Sequence, residues 1–304
     1  MFTSDKQRTV ARTAACSGIG VHSGMKVNLR IHPAPENHGI RFVRTDLPDA
    51  PVISAFFSQV VDTSLATVIG SGGCIISTIE HLMAAFSGLA IDNVLVELDA
   101  YEMPIMDGSA RPFLELLQNA GIHEQRAPKH FFIIKQPVEL DDGDRFVGIY
   151  PGHTQKFSCT VAYKHPLIRK QSITIELNEQ VFEEQICAAR TFGFLQDVEK
   201  MKRFGLGRGG SLENVIVIDE QDIVNPEGLR YKDEFVRHKV LDCIGDFSLL
   251  GLPILGHIVT HKSGHTFNLA FLDKLFNSKD AWLTSTRPTY PVATPSNISE
   301  ALAI

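Results

Sequence analysis

EFVRHKVLDCIGD, residues 234–246, sets His238, Asp242 and Asp246 at successive four-residue steps. On an α-helix that spacing stacks the three side chains on one face. Phe235, Val236, Val240, Leu241, Ile244 and Phe247 supply apolar material around them, so the pattern predicts a long helix over about 233–250. This helix follows a run of strands instead of alternating with them. FFIIKQPVEL, RFVGIYP, FSCTVAY and SITIEL, all between 131 and 177, read as strands. Helical patterns follow at 179–187 and about 195–203, then the apolar strand NVIVID (214–219). GHIVTHKSGH (256–265) starts as a strand and ends in a turn, and TFNLAFLDKLF (266–276) is helical.

The first half has the same character. VNLRIHP (27–33) and GIRFV (39–43) alternate apolar and polar residues as half-buried strands do. TIEHLMAAFSG (78–88) reads as a short helix closed by Gly88, and NVLVELDA (93–100) as a strand. MPIMDGSARPFLELLQNAG (103–121) reads as a turn and a helix, with Ser109 as N-cap and Gly121 as stop. In RAPKH (126–130) charge and proline interrupt the periodicity, as in a linker. Strands followed by helices in each half predict an α+β protein. It would have two similar domains, 1–126 and 127–304, each a sheet layer packed with helices, with a βαβ-like insert near 193–218. The tail RPTYPVATPSNISE (287–300) reads as a surface extension.

Composition narrows the function. A net charge of −6 offers no basic face for nucleic acid. The five cysteines are odd in number and form no CxxC pair, so neither a disulfide framework nor a cysteine zinc site is expected. MFTSDKQRTV has no apolar core of a signal peptide, and no 18-residue apolar run exists, so a cytoplasmic protein is expected. Twelve histidines direct attention to metal or acid–base chemistry.

Four stretches carry candidates, each with a plain structural alternative. His238 and Asp242, one helical turn apart, suit the gripping of one ion; the alternative is the wet face of an amphipathic helix. In STIEHL (77–82), His81 and Glu80 suit a ligand and a flanking base, whereas Ser77 and Glu80 also fit an S-x-x-E capping box. In HKSGH (261–265), His265 is placed as a proton donor over a site, or as an exposed turn residue. In RTFGF (190–194), Thr191 offers a hydroxyl to an oxyanion and the phenylalanines line a groove, or are core. GLGRGG (205–210) matches G-x-G-x-x-G, but it precedes a strand and follows a charged segment, the reverse of the dinucleotide context.

STIEHL, NxxxE followed by PIMDGSA (104–110), ARTFGF (189–194), GLRYKDEFVRHKVLDCIGD (228–246) and KSGH (262–265) occur in that order, after SGIGVHSG (17–24). Together they resemble the UDP-3-O-(3-hydroxyacyl)-N-acetylglucosamine deacetylases, the zinc enzymes of the first committed step of lipid A synthesis. The resemblance runs from about residue 8 to about residue 285. It implies His81, His238 and Asp242 as zinc ligands, a set that also suits iron(II), in a site between the two domains. It implies Glu80 as general base and His265 as cationic acid, with Asp246 holding His265 protonated and Thr191 on the tetrahedral oxygen. Lys239 and Lys262 are implied as substrate contacts, Lys239 at the nucleotide-sugar's charge and also among the catalytic residues. Phe192, Phe194 and the 195–215 segment correspond to the acyl-chain passage. The implied partner is an acylated UDP-sugar. A monomer is expected, with no transmembrane segment and with peripheral membrane association open. Ala66 stands where some relatives carry a cysteine. Other readings are a zinc amidohydrolase acting on a different acetamide, and a non-catalytic metal- or sugar-nucleotide-binding protein.

Overall fold

Lys26–Pro33 buries Val27, Leu29 and Ile31 and turns Lys26, Asn28 and Arg30 outward, the period-two consequence of a pleated strand with one wet face. In the computed structural model, which describes residues 5–286, it lies second in a five-stranded sheet. The order is Ala14–Ile19, Lys26–Pro33, Val94–Leu98, Ile40–Arg44, Val52–Ser54. The tail at 287–300 lies outside the described residues. A seven-stranded sheet forms around Ile254–His261, which is buried at seven of its eight positions. That strand pairs antiparallel with Phe146–Pro151 and parallel with Gln155–Ala162, and its start runs parallel to Phe131–Ile134. A strand covered on both faces needs continuous apolar sequence, which is what ILGHIVTH nearly supplies.

The helices are α1 (Glu80–Gly88), α2 (Arg111–Ala120), α3 (Glu179–Val181), α4 (Leu195–Arg203), α5 (Glu234–Ser248) and α6 (His265–Asn277). The chain is therefore α+β. Helix α1 packs against α2 and α5, and α5 also packs against α6 and Gln155–Ala162. The α1–α5 contact joins a helix from the first half of the sequence to one from the second. It is made close by Gly245, where a Cβ atom would run into the Glu80 carbonyl. Helix α5 is buried almost all round, its polar stripe included: His238 is 2 % exposed, Asp242 4 % and Asp246 3 %. The wet-face reading of that stripe is thereby excluded.

Several local expectations change. RAPKH does not run as a free linker through Pro128, because Ile122–Pro128 is a strand paired antiparallel with Lys6–Val10. Lys129 follows it into the interior and meets Asp92 at 2.6 Å. Its charge is tolerated there because a carboxylate answers it. Helix α2 is capped by Ala110, not Ser109, although Ser109 Oγ accepts from the Arg111 amide at 3.2 Å. Gly121 ends the helix with φ 76°. The 179–187 pattern resolves into α3 and a π-helical turn, Phe182–Ile186. Phe192–Phe194, α4 and Ile216–Ile218 form a small β-α-β unit with parallel strands. No helix among the described residues is long and apolar enough to cross a membrane.

Candidate active site

Helix α1 begins at Glu80, two residues after Thr78, whose φ of 64° turns the chain sharply towards it. Its N-cap is Ile79, with no side-chain cap. The capping-box alternative for Glu80 is therefore not realised. The carboxylate instead accepts the Thr67 amide at 3.1 Å, and His81 is free to project from the first turn.

His81, His238 and Asp242 converge. One ligand atom from each lies within 4.8 Å of the other two, and all three residues are buried. His238 Nε2 is 3.3 Å from Asp242 Oδ1, His81 Nε2 is 3.7 Å from the same oxygen, and the two rings stand at 87°. His238 Nδ1 lies 3.0 Å from the Ala189 carbonyl. Donating its proton there leaves Nε2 with an outward lone pair, the usual support of a metal-ligating imidazole. Burial holds His81 neutral, its pKa pulled down to about 3, with the neighbouring His238 acting the same way. Asp242 Oδ1 is buried with no hydrogen-bond partner. Two neutral imidazoles and one orphaned carboxylate oxygen suit a divalent cation. The donor set therefore fits a metal; it does not name the element.

Around this triad lies a second group. His265 Nδ1 bonds Asp246 Oδ2 at 2.8 Å, and His265 Nε2 is 3.7 Å from Glu80 Oε1. Asn268 Nδ2 also donates to Asp246 Oδ2 at 2.8 Å, and the Thr67 hydroxyl donates to Asp246 Oδ1 at 2.6 Å. His265 is not a turn residue but the first residue of α6, with Gly264 as N-cap. Burial alone would lower its pKa. The Asp246 charge and hydrogen bond outweigh burial, with help from Glu80, and push it up to about 10. Burial pushes Glu80 up to about 7 against the opposing pull of the His265 cation.

Two cavities meet here. A polar cleft of about 430 Å³ is lined by Arg145, Tyr163, Lys239, Lys262 and His265, among others. An apolar cavity of about 380 Å³ runs beneath the β-α-β unit, lined by Leu195, Val198, Met201, Leu212, Val215 and Val217. Glu80, His81, Thr191 and Phe192 line both. Thr191 sits at their junction, its amide fixed on the Gly108 carbonyl at 2.8 Å. Lys239 Nζ rests 2.7 Å from Asp242 Oδ2 and above the Phe192 ring, so its cation faces the candidate ligand as well as the cleft. Lys262 lines the cleft but spends its charge on Asp144. Phe194 lines neither cavity, because its ring packs against Tyr163 and His165. Pattern reading passed over Thr67 and Asn268; neither carries a local signal, since each meets Asp246 only through the tertiary fold.

Residues 7–277 match the family model described as LpxC: UDP-3-O-acyl N-acetylglycosamine deacetylase. The chain belongs to this family. Its relatives include the UDP-3-O-acyl-N-acetylglucosamine deacetylase of Myxococcus xanthus (strain DK1622), 50% identical over 280 residues, 92% of this chain and 89% of that one. The deacetylase of the same name from Syntrophus aciditrophicus (strain SB) is 45% identical over 92% of this chain and 89% of its own length. That of Teredinibacter turnerae (strain ATCC 39867 / T7901) is 45% identical over 98% and 99%. The match to this deacetylase family thus spans both halves of the site, His81 on one side and the α5 and α6 residues on the other.

Proposed function

We propose that this chain is a cytoplasmic zinc-dependent deacetylase. It hydrolyses the N-acetyl group of a UDP-3-O-(3-hydroxyacyl)-N-acetylglucosamine to give the free amine and acetate, the committed step of lipid A synthesis. The observation that carries the reading is the meeting of three features at one point: the orphaned Asp242 oxygen between two histidines, the Glu80–His265–Asp246 chain, and the junction of a polar with an apolar cavity.

A divalent cation held by His81, His238 and Asp242 supplies Lewis-acid activation of water and of the acetamide carbonyl. Glu80, buried beside His81 and tethered to Thr67, takes the proton of the attacking water. The addition makes a tetrahedral carbon, and Thr191, which lines both cavities, offers its hydroxyl as the donor for the oxygen on which negative charge develops. His265, kept cationic by Asp246, gives its proton to the departing nitrogen as the C–N bond breaks. Two titrating groups with separated roles are what a general base and a general acid require. Lys239 offers its remaining N–H donors to the nucleotide-sugar from the cleft wall. Phe192 closes the cleft on one side and opens the apolar cavity on the other, where an acyl chain is buried against aliphatic side chains.

A non-catalytic binding protein needs the triad but not the base–acid pair. Acetate release from the acylated UDP-N-acetylglucosamine decides between them. Glu80→Ala is expected to keep its metal and lose on the order of 10²–10⁴-fold in kcat, whereas His238→Ala loses the metal. Normal turnover by Glu80→Ala would remove the catalytic role assigned to that carboxylate.

A further inference from the structure

Thr67 is 2 % exposed and precedes Val68–Ser71, a strand whose first residue is paired with Asp62. Its backbone is therefore fixed by a ladder, and its β-branched side chain is restricted at χ1. From that fixed point it makes three contacts. Its amide donates to Glu80 Oε2 at 3.1 Å, its hydroxyl donates to Asp246 Oδ1 at 2.6 Å, and its oxygen lies 3.2 Å from His265 Nδ1. Glu80 sits on α1, Asp246 on α5 and His265 on α6. One residue thus touches all three members of the proton-handling group, which come from three separate helices.

The contacts divide the work. Asp246 Oδ2 is held by His265 and Asn268, both at 2.8 Å. Oδ1 has the Thr67 hydroxyl and a longer contact to His265 at 3.1 Å. Without the hydroxyl, one carboxylate oxygen keeps only that shared, longer contact, and the group can rotate about its Cβ–Cγ bond. The imidazole that depends on it loses its fixed aim. The Thr67 amide, being backbone, would continue to hold Glu80.

We propose that Thr67 is a positioning residue for this reaction: its hydroxyl fixes the Asp246 carboxylate and its amide fixes Glu80, so that base and acid are held at the 3.7 Å separation of Glu80 and His265. The proposal rests on reading those two residues as base and acid. A hydrogen bond to a charged group is worth enough to change a rate about 10–100-fold when it acts only through orientation.

The test uses the metal-loaded full chain and compares Thr67→Val, Thr67→Ala and Thr67→Ser with Glu80→Ala in one acetate-release assay. Thr67→Val and Thr67→Ala should lose about 10–100-fold in kcat with KM held within about twofold and with metal content unchanged. Thr67→Ser should recover most of the loss, because the hydroxyl returns. The ¹⁵N resonances of His265 in the metal-loaded protein should move in the Val and Ala variants and not in Ser. Should Thr67→Val fail to fold, the Ala–Ser pair makes the same comparison. A Thr67→Val enzyme with wild-type kcat, beside an inactive Glu80→Ala, overturns the proposal and leaves the base–acid reading standing. Equal losses in Val and Ser also overturn it. Normal turnover by Glu80→Ala overturns the base–acid reading itself.

Discussion

Gly245→Ala separates two physical arguments that point in opposite directions. Gly245 lies inside α5, where alanine is the better helix former by about 1 kcal/mol. Propensity alone therefore predicts a more stable protein. The structure places a new Cβ 2.9 Å from the Glu80 carbonyl carbon and 3.0 Å from its Cα, with the carbonyl oxygen closer still. Carbon atoms rest at about 3.5–4.0 Å, so α1 has to back away by about 0.5–1 Å. Overpacking of this kind costs about 1–3 kcal/mol, which offsets or outweighs the helix gain and leaves stability lowered by about 0–2 kcal/mol. The larger effect is on geometry, because α1 carries Glu80 and His81 while α5 carries His238, Asp242 and Asp246. A displacement near 1 Å between groups that act together costs about 10²-fold in rate. The assay is kcat for acetate release on metal-loaded protein, with metal affinity and urea denaturation on the same samples. The expected result is a loss of about 10²-fold in kcat and weaker metal binding with only a small change in stability. A variant that is more stable and fully active would refute the claim that the α1–α5 approach sets the site.

Further outcomes follow from the same geometry. Arg190 is 2 % exposed and holds Glu234, which is fully buried at the start of α5, at 2.9 Å. Arg190→Met leaves that carboxylate with backbone partners alone, and denaturation should show a loss on the order of 3–5 kcal/mol, partly restored by Glu234→Gln in the same chain. The pH profile of kcat/KM should be bell-shaped, since the proposed base, Glu80, would work ionised and the proposed acid, His265, protonated. Activity rises as pH passes the Glu80 value, raised by burial to about 7, and falls as pH passes the His265 value, raised by Asp246 against burial to about 10. A bound cation favours the carboxylate and disfavours the imidazolium, so both limbs shift to lower pH in the metal-loaded enzyme. A rate that declines steadily from about pH 5 to about pH 7 would contradict these assignments.

Much of the fold was legible because burial on one face leaves a period in the sequence. Lys26–Pro33 is legible in this way, whereas Glu234–Ser248, buried almost all round, is legible from its apolar length and its polar residues at four-residue steps. The pairing of Ile122–Pro128 with Lys6–Val10 was not, because it depends on a partner more than a hundred residues away and not on local propensity. The His238–Asp242 pair was readable from its four-residue step. Its union with His81 was not readable from spacing, since a helix in the other half supplies that residue, and only the family resemblance joined them. The Ser77–Glu80 box misled in a specific way: Thr78 takes a left-handed turn, Ser77 stays outside the helix, and Glu80 is released to meet Thr67. Thr67 and Asn268 could not be found from pattern at all, because a threonine and an asparagine have no spacing signature until Asp246 is placed beside them.

The proposed deacetylation needs a metal held by His81, His238 and Asp242. The most direct measurement is metal content and acetate release from the acylated UDP-N-acetylglucosamine, followed on one sample through chelation and zinc readdition. About one metal ion per chain is expected at the start, since among the described residues His81, His238 and Asp242 form one ligand group. Metal and turnover should be lost in parallel on chelation and recover in parallel with zinc. Undiminished turnover in protein stripped of metal would contradict this requirement, as would full metal retention in a chain carrying both His81→Ala and His238→Ala.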